Sequence, residues 1–158
     1  SLLRSYSQPM IILAGIPFGA AGAFIGHFIL GYNLSFYSLF GVVALAGVVV
    51  NDSLILMDKY NRFMSEGNYT CEEAVLKAAE RRFRPIFLTT ATTSLGLMPL
   101  IFKTSTSAQF IVPLAISLAI GILFASILIL FVVPTMIVIH HNAVKKLDWR
   151  WGNAASLD

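Results

Sequence analysis

The stretch GVVALAGVVVNDSLILMDKYNR, Gly41 to Arg62, runs apolar from Gly41 to Val50 and then sets Asn51, Asp52 and Ser53 before a second apolar block, Leu54 to Met57. A carboxylate in the middle of so oily a segment has one meaning in a soluble core and another in a bilayer. Composition decides between them. The chain has 158 residues, 57% of them hydrophobic and 12% charged, and a mean hydropathy of +0.78. A soluble domain carries about 25% charged residues, so these charges are too few to cover a globule of this size.

The excess lies in four apolar runs, Met10–Tyr32, Phe36–Met57, Pro85–Phe102 and Phe110–Ile139, which hold no charged residue apart from Asp52. A helix crosses a hydrocarbon layer about 30 Å thick with about 20 mostly apolar residues. The first three runs fit one crossing each, and the fourth is read as one long or tilted crossing. The expected fold is an all-α membrane protein with spans near 9–31, 36–60, 85–103 and 108–140, a short segment 1–8 before them, a loop 61–84 and a tail 142–158. Within the loop, TCEEAVLKAAERRFRP has the pattern of a short amphipathic surface helix near 71–82. Thr70 and Glu73 have capping-box spacing, and Ala74, Val75, Ala78, Ala79 and Phe83 form its apolar side. Pro85 is then expected in the first turn of the next span.

Of the eleven Lys and Arg, only Lys103 falls outside the first segment, the 61–84 region with Lys59, and the tail. Basic residues concentrate in cytoplasmic loops, which places both termini and the loop in the cytoplasm. The basic balance thus reflects topology and gives no reason to expect nucleic-acid binding. The lone Cys71 cannot form an internal disulfide, and His140 and His141 are too few for a metal site. The chain opens without methionine and directly before a span, and is read as a segment of a longer protein.

Gly15, Gly19, Gly22 and Gly26 recur at helical steps of four, three and four, a spacing that lets another helix backbone approach closely. His27 lies near the outer end of the same span and reads as an interfacial side chain. In the third span Thr89, Thr90, Thr92 and Thr93 form a dense hydroxyl cluster. A charge in mid-membrane costs about 2.5–3.5 kcal/mol by insertion scales, so Asp52 should face protein or water. At about 1.5 Å per residue it lies about 12 Å inside the span end at Tyr60. Thr89 and Thr93 lie about 6 and 12 Å inside from Pro85 by the same count. A carboxylate shielded from water holds its proton more readily, which suits a group loaded from one side of a membrane and emptied to the other. The blander alternative is a permanently neutral Asp52 bonded to a neighbouring helix.

GVVVNDSLILMD, EGNYTCEEAVLKAAERRFRPIFLTTATTSLGLMPL and AQFIVPLAISLAIGILFASILILFVVPTMIVI together resemble the C-terminal end of a resistance-nodulation-cell division (RND) transporter, in the hydrophobe/amphiphile efflux branch. The resemblance implies the last four of twelve spans in an inner-membrane, proton-driven exporter. It also implies a homotrimer working with a periplasmic adaptor and an outer-membrane channel, and no enzyme activity, cofactor or metal. By position it assigns Thr89 and Arg82 to a proton relay, with Thr93 beside them. Asn51 stands where many members carry lysine, so the usual charge pairing is altered and Asp52 takes the ionisable place. A SecD/SecF-like translocation accessory, a structural membrane subunit and an intramembrane aspartyl protease are the competing readings. The last needs two carboxylates sharing a proton, and this chain has one at depth, Asp52.

Overall fold

The computed structural model describes residues 7–154 except 104 and 106–108, so the start of the 1–8 segment and the end of the tail lie outside the described residues. The chain folds as α1 (Ser7–Leu13), α2 (Gly15–Leu30), α3 (Phe36–Ser65), α4 (Cys71–Ile101) and α5 (Val112–Ala154), with no strand among the described residues. This is the all-α membrane fold.

The first expected span is interrupted. Pro17 has no N–H to offer the Leu13 carbonyl and its ring crowds that oxygen, and the helix breaks between Leu13 and Gly15. Gly31 ends α2 in the left-handed conformation at φ 68°, with Tyr32 N–H reaching back 3.1 Å to the His27 carbonyl, as helix ends with glycine commonly do. Ser35 then caps α3: its side chain accepts from Ser38 N–H at 3.3 Å, and Ser38 Oγ accepts from Ser35 N–H at 3.1 Å.

The expected surface helix and third span are one helix. α4 starts at the Thr70–Glu73 capping box and runs through Pro85 and Pro99 to Ile101. No glycine or asparagine breaks it between Cys71 and Leu95, and Pro85 removes only one backbone bond. Ala74, Val75 and Ala78 are buried in one cluster with Leu56, Met57, Tyr60 and Phe63 of α3, so this apolar side meets a helix and not a lipid surface. Phe83, expected on that side, is instead exposed and stacks on Phe87 at 6.2 Å.

Among the described residues three stretches are long and apolar enough to cross a membrane: Gln8–Leu30, Phe36–Ser65 and Val112–Lys146. The Pro85–Ile101 part of α4 falls outside this set, because its threonines, Ser94 and two prolines dilute its apolar residues. It joins the bundle by packing. Thr90 Oγ1 lies 2.6 Å from Ser126 Oγ, and Ser94 Oγ donates to the Ala119 carbonyl at 3.0 Å, which sets α4 antiparallel to α5. The last helix also runs beyond the expected end of its span into the tail, to Ala154. α5 is the central member. Its buried residues Ala115, Ala119, Ile122, Ser126, Ile129, Val133 and Ile137 recur every three or four positions, and α2, α3 and α4 pack around it.

Candidate functional site

The glycines of α2 set how closely the bundle closes. All four are buried. A Cβ on Gly15 would lie 2.9 Å from Val49 Cγ1, on Gly22 2.5 Å from Phe124 Cβ, and on Gly26 2.8 Å from Ile120 Cβ, while at Gly19 the nearest atom is Leu45 Cδ2 at 3.3 Å. Gly15 and Gly19 thus admit α3, and Gly22 and Gly26 admit α5. Ser53 is fully buried beside Gly15, and its Oγ has no hydrogen-bond partner.

Asp52, next in the chain, is half-buried. Its Oδ2 is shielded from solvent and has no hydrogen-bond partner. The cation acting on it is Arg82 of α4, whose Nε is likewise buried and unpartnered. Among the described residues the one direct ion pair is Arg62–Glu66, 4.0 Å apart on the exposed end of α3, so Asp52 and Arg82 influence each other without touching. The α3–α4 hairpin produces this arrangement. Tyr60 OH lies 3.5 Å from Cys71 Sγ and the Phe63 and Tyr69 rings meet edge-on at 5.6 Å. Counting outward from those pairs along two antiparallel helices brings Arg82 toward the level of Asp52.

The other relay candidates are more dispersed. Asn51 is exposed on the flank of α3. Thr89 is exposed on α4, with its hydroxyl donating to the Pro85 and Ile86 carbonyls at 3.1 and 3.0 Å. Thr93 is half-buried. The structure therefore brings Asp52 and Arg82 together, and it makes no hydrogen bond between Asp52 and either threonine.

The structure corrects the reading of His27 and brings together polar groups that the sequence did not pair. His27 is 2% exposed, buried and not interfacial. Its Nδ1 lies 2.9 Å from the Ala23 carbonyl and its Nε2 2.8 Å from Ser38 Oγ. Ser117 of α5 donates to the Ser38 carbonyl at 3.0 Å, so α2, α3 and α5 meet at one polar node. At the other end of the bundle, Gln8 and Asn61 exchange two hydrogen bonds: Gln8 Nε2 donates to Asn61 Oδ1 at 2.8 Å, and Asn61 Nδ2 donates to Gln8 Oε1 at 3.0 Å. The S-x-x-S spacing of Ser35 and Ser38 was the one local signal for the first node; the amide pair spans 53 positions and leaves none.

Long apolar helices packed into one bundle define an integral membrane protein. The sequence matches the model of the AcrB/AcrD/AcrF family over residues 1–141, and the chain belongs to that family of RND efflux transporters. It is 30% identical over 150 residues to the multidrug resistance protein MdtC of Proteus mirabilis, covering 95% of this chain and 14% of that protein. It is 28% identical over 149 residues to MdtC of Erwinia amylovora, covering 94% of this chain and 15% of the relative. In three dimensions it is similar to a heavy metal efflux pump solved by X-ray crystallography, with a TM-score of 0.72 and 29% identity over 82% of this chain and 13% of that one. The chain thus spans about a seventh of the length of the curated relatives it matches.

Proposed function

We propose that this chain forms part of the proton-coupling membrane domain of an inner-membrane efflux transporter, in which Asp52 exchanges a proton during export. The supporting observation is the shielded Oδ2 of Asp52, within the electrostatic reach of Arg82, whose Nε is also buried without a hydrogen-bond partner. A charge kept at such a cost in a membrane helix marks an ion or proton path. Gaining and losing a proton changes the attraction to Arg82, and that change supplies a difference in energy between two arrangements of α3 and α4. Asn51 orients the carboxylate from the neighbouring position. Thr89 and Thr93 lend hydroxyls to a water-linked path along α4.

Asn51 shares its exposed face with Ala44 and Gly47, and Thr89 shares its face with Thr92 and Gly96; in a bilayer such faces of small and polar residues pack on protein. The remainder of the transporter chain supplies that cover in this reading. The protein is a transporter and not an enzyme. It works as a homotrimer with a periplasmic adaptor and an outer-membrane channel, with both termini of this chain in the cytoplasm. The names of its relatives point to drugs or metal ions as cargo. The test is Asp52→Asn in the full-length transporter, which keeps size and hydrogen bonding but removes titration. Proton-coupled export should be abolished while expression and trimer assembly persist; undiminished export would overturn the proposal.

A further inference from the structure

α4 shows three faces beyond its cap. Ala74, Val75, Ala78, Ile86, Thr90 and Ser94 are buried against the bundle. Thr89, Thr92 and Gly96 form a second face, exposed, small and polar, of the kind that packs against other helices in a membrane. The third face is different. Phe83, Phe87, Leu88, Leu95 and Met98 are each 47–64% exposed there, large and apolar, around a half-buried Ala91. That character suits lipid tails.

At its cytoplasmic end this face carries Lys77, Arg81 and Arg84, at helical steps of four and three, which continue to Leu88. Arg81 and Arg84 are exposed. They stand where the apolar run begins at Pro85, with the exposed apolar rings of Phe83 and Phe87 at the same boundary. Three cations meet two nearby carboxylates, Glu73 and Glu80. The charged heads of two of the cations are held by aromatic rings. Lys77 Nζ donates to Tyr69 OH at 2.9 Å and sits 4.2 Å from that ring, and the Arg81 guanidinium lies 5.3 Å from the Phe63 ring. Their charges are therefore presented at a fixed place on the surface.

We infer that Lys77, Arg81 and Arg84, bordered by Phe83, Phe87 and Leu88, bind the headgroup of an anionic phospholipid in the inner leaflet. A guanidinium offers parallel N–H donors that match phosphate oxygens, and basic clusters just cytoplasmic of a membrane helix attract anionic lipids. The aromatic pair receives the upper part of the acyl chains. This assignment is independent of proton coupling.

Photo-crosslinking tests it in the full-length transporter, with benzoylphenylalanine at position 87 and vesicles of phosphatidylcholine doped with phosphatidylglycerol. The adduct should form with phosphatidylglycerol roughly tenfold or more in excess of its share of the lipid. Arg81→Gln with Arg84→Gln should bring that preference close to parity while lipid adducts persist, and Arg81→Lys with Arg84→Lys should retain most of it. Excess inorganic phosphate should leave the yield unchanged. An adduct to protein, whether this chain or a neighbouring copy, would overturn the inference. So would equal labelling by the two lipids, competition by phosphate, or a preference indifferent to the glutamine pair.

Discussion

His27 Nε2 and Ser38 Oγ are 2.8 Å apart inside the bundle, and the neighbours of each fix which atom donates. The Ala23 carbonyl can only accept, so His27 Nδ1 carries the proton. Nε2 then accepts from the Ser38 hydroxyl, whose oxygen in turn accepts Ser35 N–H. Replacing His27 by Ala strands a buried hydroxyl and opens a void beside it. The expected loss is about 2 kcal/mol or more, read as a lower thermal midpoint of the purified transporter. Ser117→Ala removes a single bond and should cost about 1 kcal/mol. Equal stability of His27→Ala and the parent would show that the node carries no weight.

The glycine face makes a second prediction with its own control. A Cβ on Gly22 would press on Phe124 Cβ, the base of a side chain that cannot swing away, whereas one on Gly47 would meet open space within this chain. Gly22→Ala should destabilise by about 1–3 kcal/mol through overpacking, and Gly22→Leu should disrupt assembly while leaving membrane insertion intact. Gly47→Ala should be neutral or stabilise by up to about 1 kcal/mol from helix propensity, unless the rest of the transporter packs there. Normal export by Gly19→Leu and Gly22→Leu variants would make the close contact incidental.

The amide pair at the opposite end is suited to a double-mutant cycle. Asn61→Leu leaves the buried Gln8 amide without its two bonds, and Gln8→Leu does the converse, so each single change should cost about 1–3 kcal/mol. The double leucine variant should recover much of the loss, giving a coupling of about 0.5–3 kcal/mol. Strict additivity in denaturation midpoints would rule the pair out as a clasp between α1 and α3.

These three sites differ in how far the sequence foretells them. The apolar runs were readable because a bilayer demands length and oiliness of each helix, and the glycine spacing because helical steps are periodic. Arg82 beside Asp52 was harder to see. Measuring depth from Pro85 assumes that a helix starts there, yet the helix that begins at Thr70 continues through the proline and carries Arg82 with it. His27 looked interfacial because position along a span says nothing about which neighbour covers it. Gln8 and Asn61 meet across 53 positions, where α1 packs on α3. Such pairings depend on tertiary register, and no local pattern encodes it.

Glu73 accepts from Thr70 N–H and from Thr70 Oγ1, both at 2.9 Å. The backbone bond, then the hydroxyl bond and the nearby Lys77 charge, hold its carboxyl below the usual value of 4.5. A group depressed on folding stabilises above its unfolded pKa and loses that contribution as pH falls through the folded one. Amide protection in the first turn of α4 should therefore be full at neutral pH and decline in acid, below the ordinary glutamate range. Glu73→Gln should show weaker protection with no such dependence. Hydrogen exchange across residues 70–75 reads both, and a flat profile in the parent would contradict the cap assignment.

The last prediction ranks the relay residues. Asp52→Asn removes the titrating group and should lower proton-coupled export by roughly a hundredfold or more, on the scale of lost acid–base groups. Arg82→Gln keeps the carboxylate but takes away the cation acting on it, so it should impair export severely, with Arg82→Lys recovering part. Asn51→Ala loosens the orientation of Asp52 and should fall in between. Thr89→Ala should be mildest. Its hydroxyl already bonds two carbonyls of its own helix, and water can replace a hydroxyl in a relay but not a titrating carboxylate. Export of a fluorescent cargo by vesicles under an imposed proton gradient measures the series, with expression level and trimer fraction as controls. If Thr89→Ala proved as damaging as Asp52→Asn, the path would depend on the hydroxyl itself. Asp52 would then share the central role with α4.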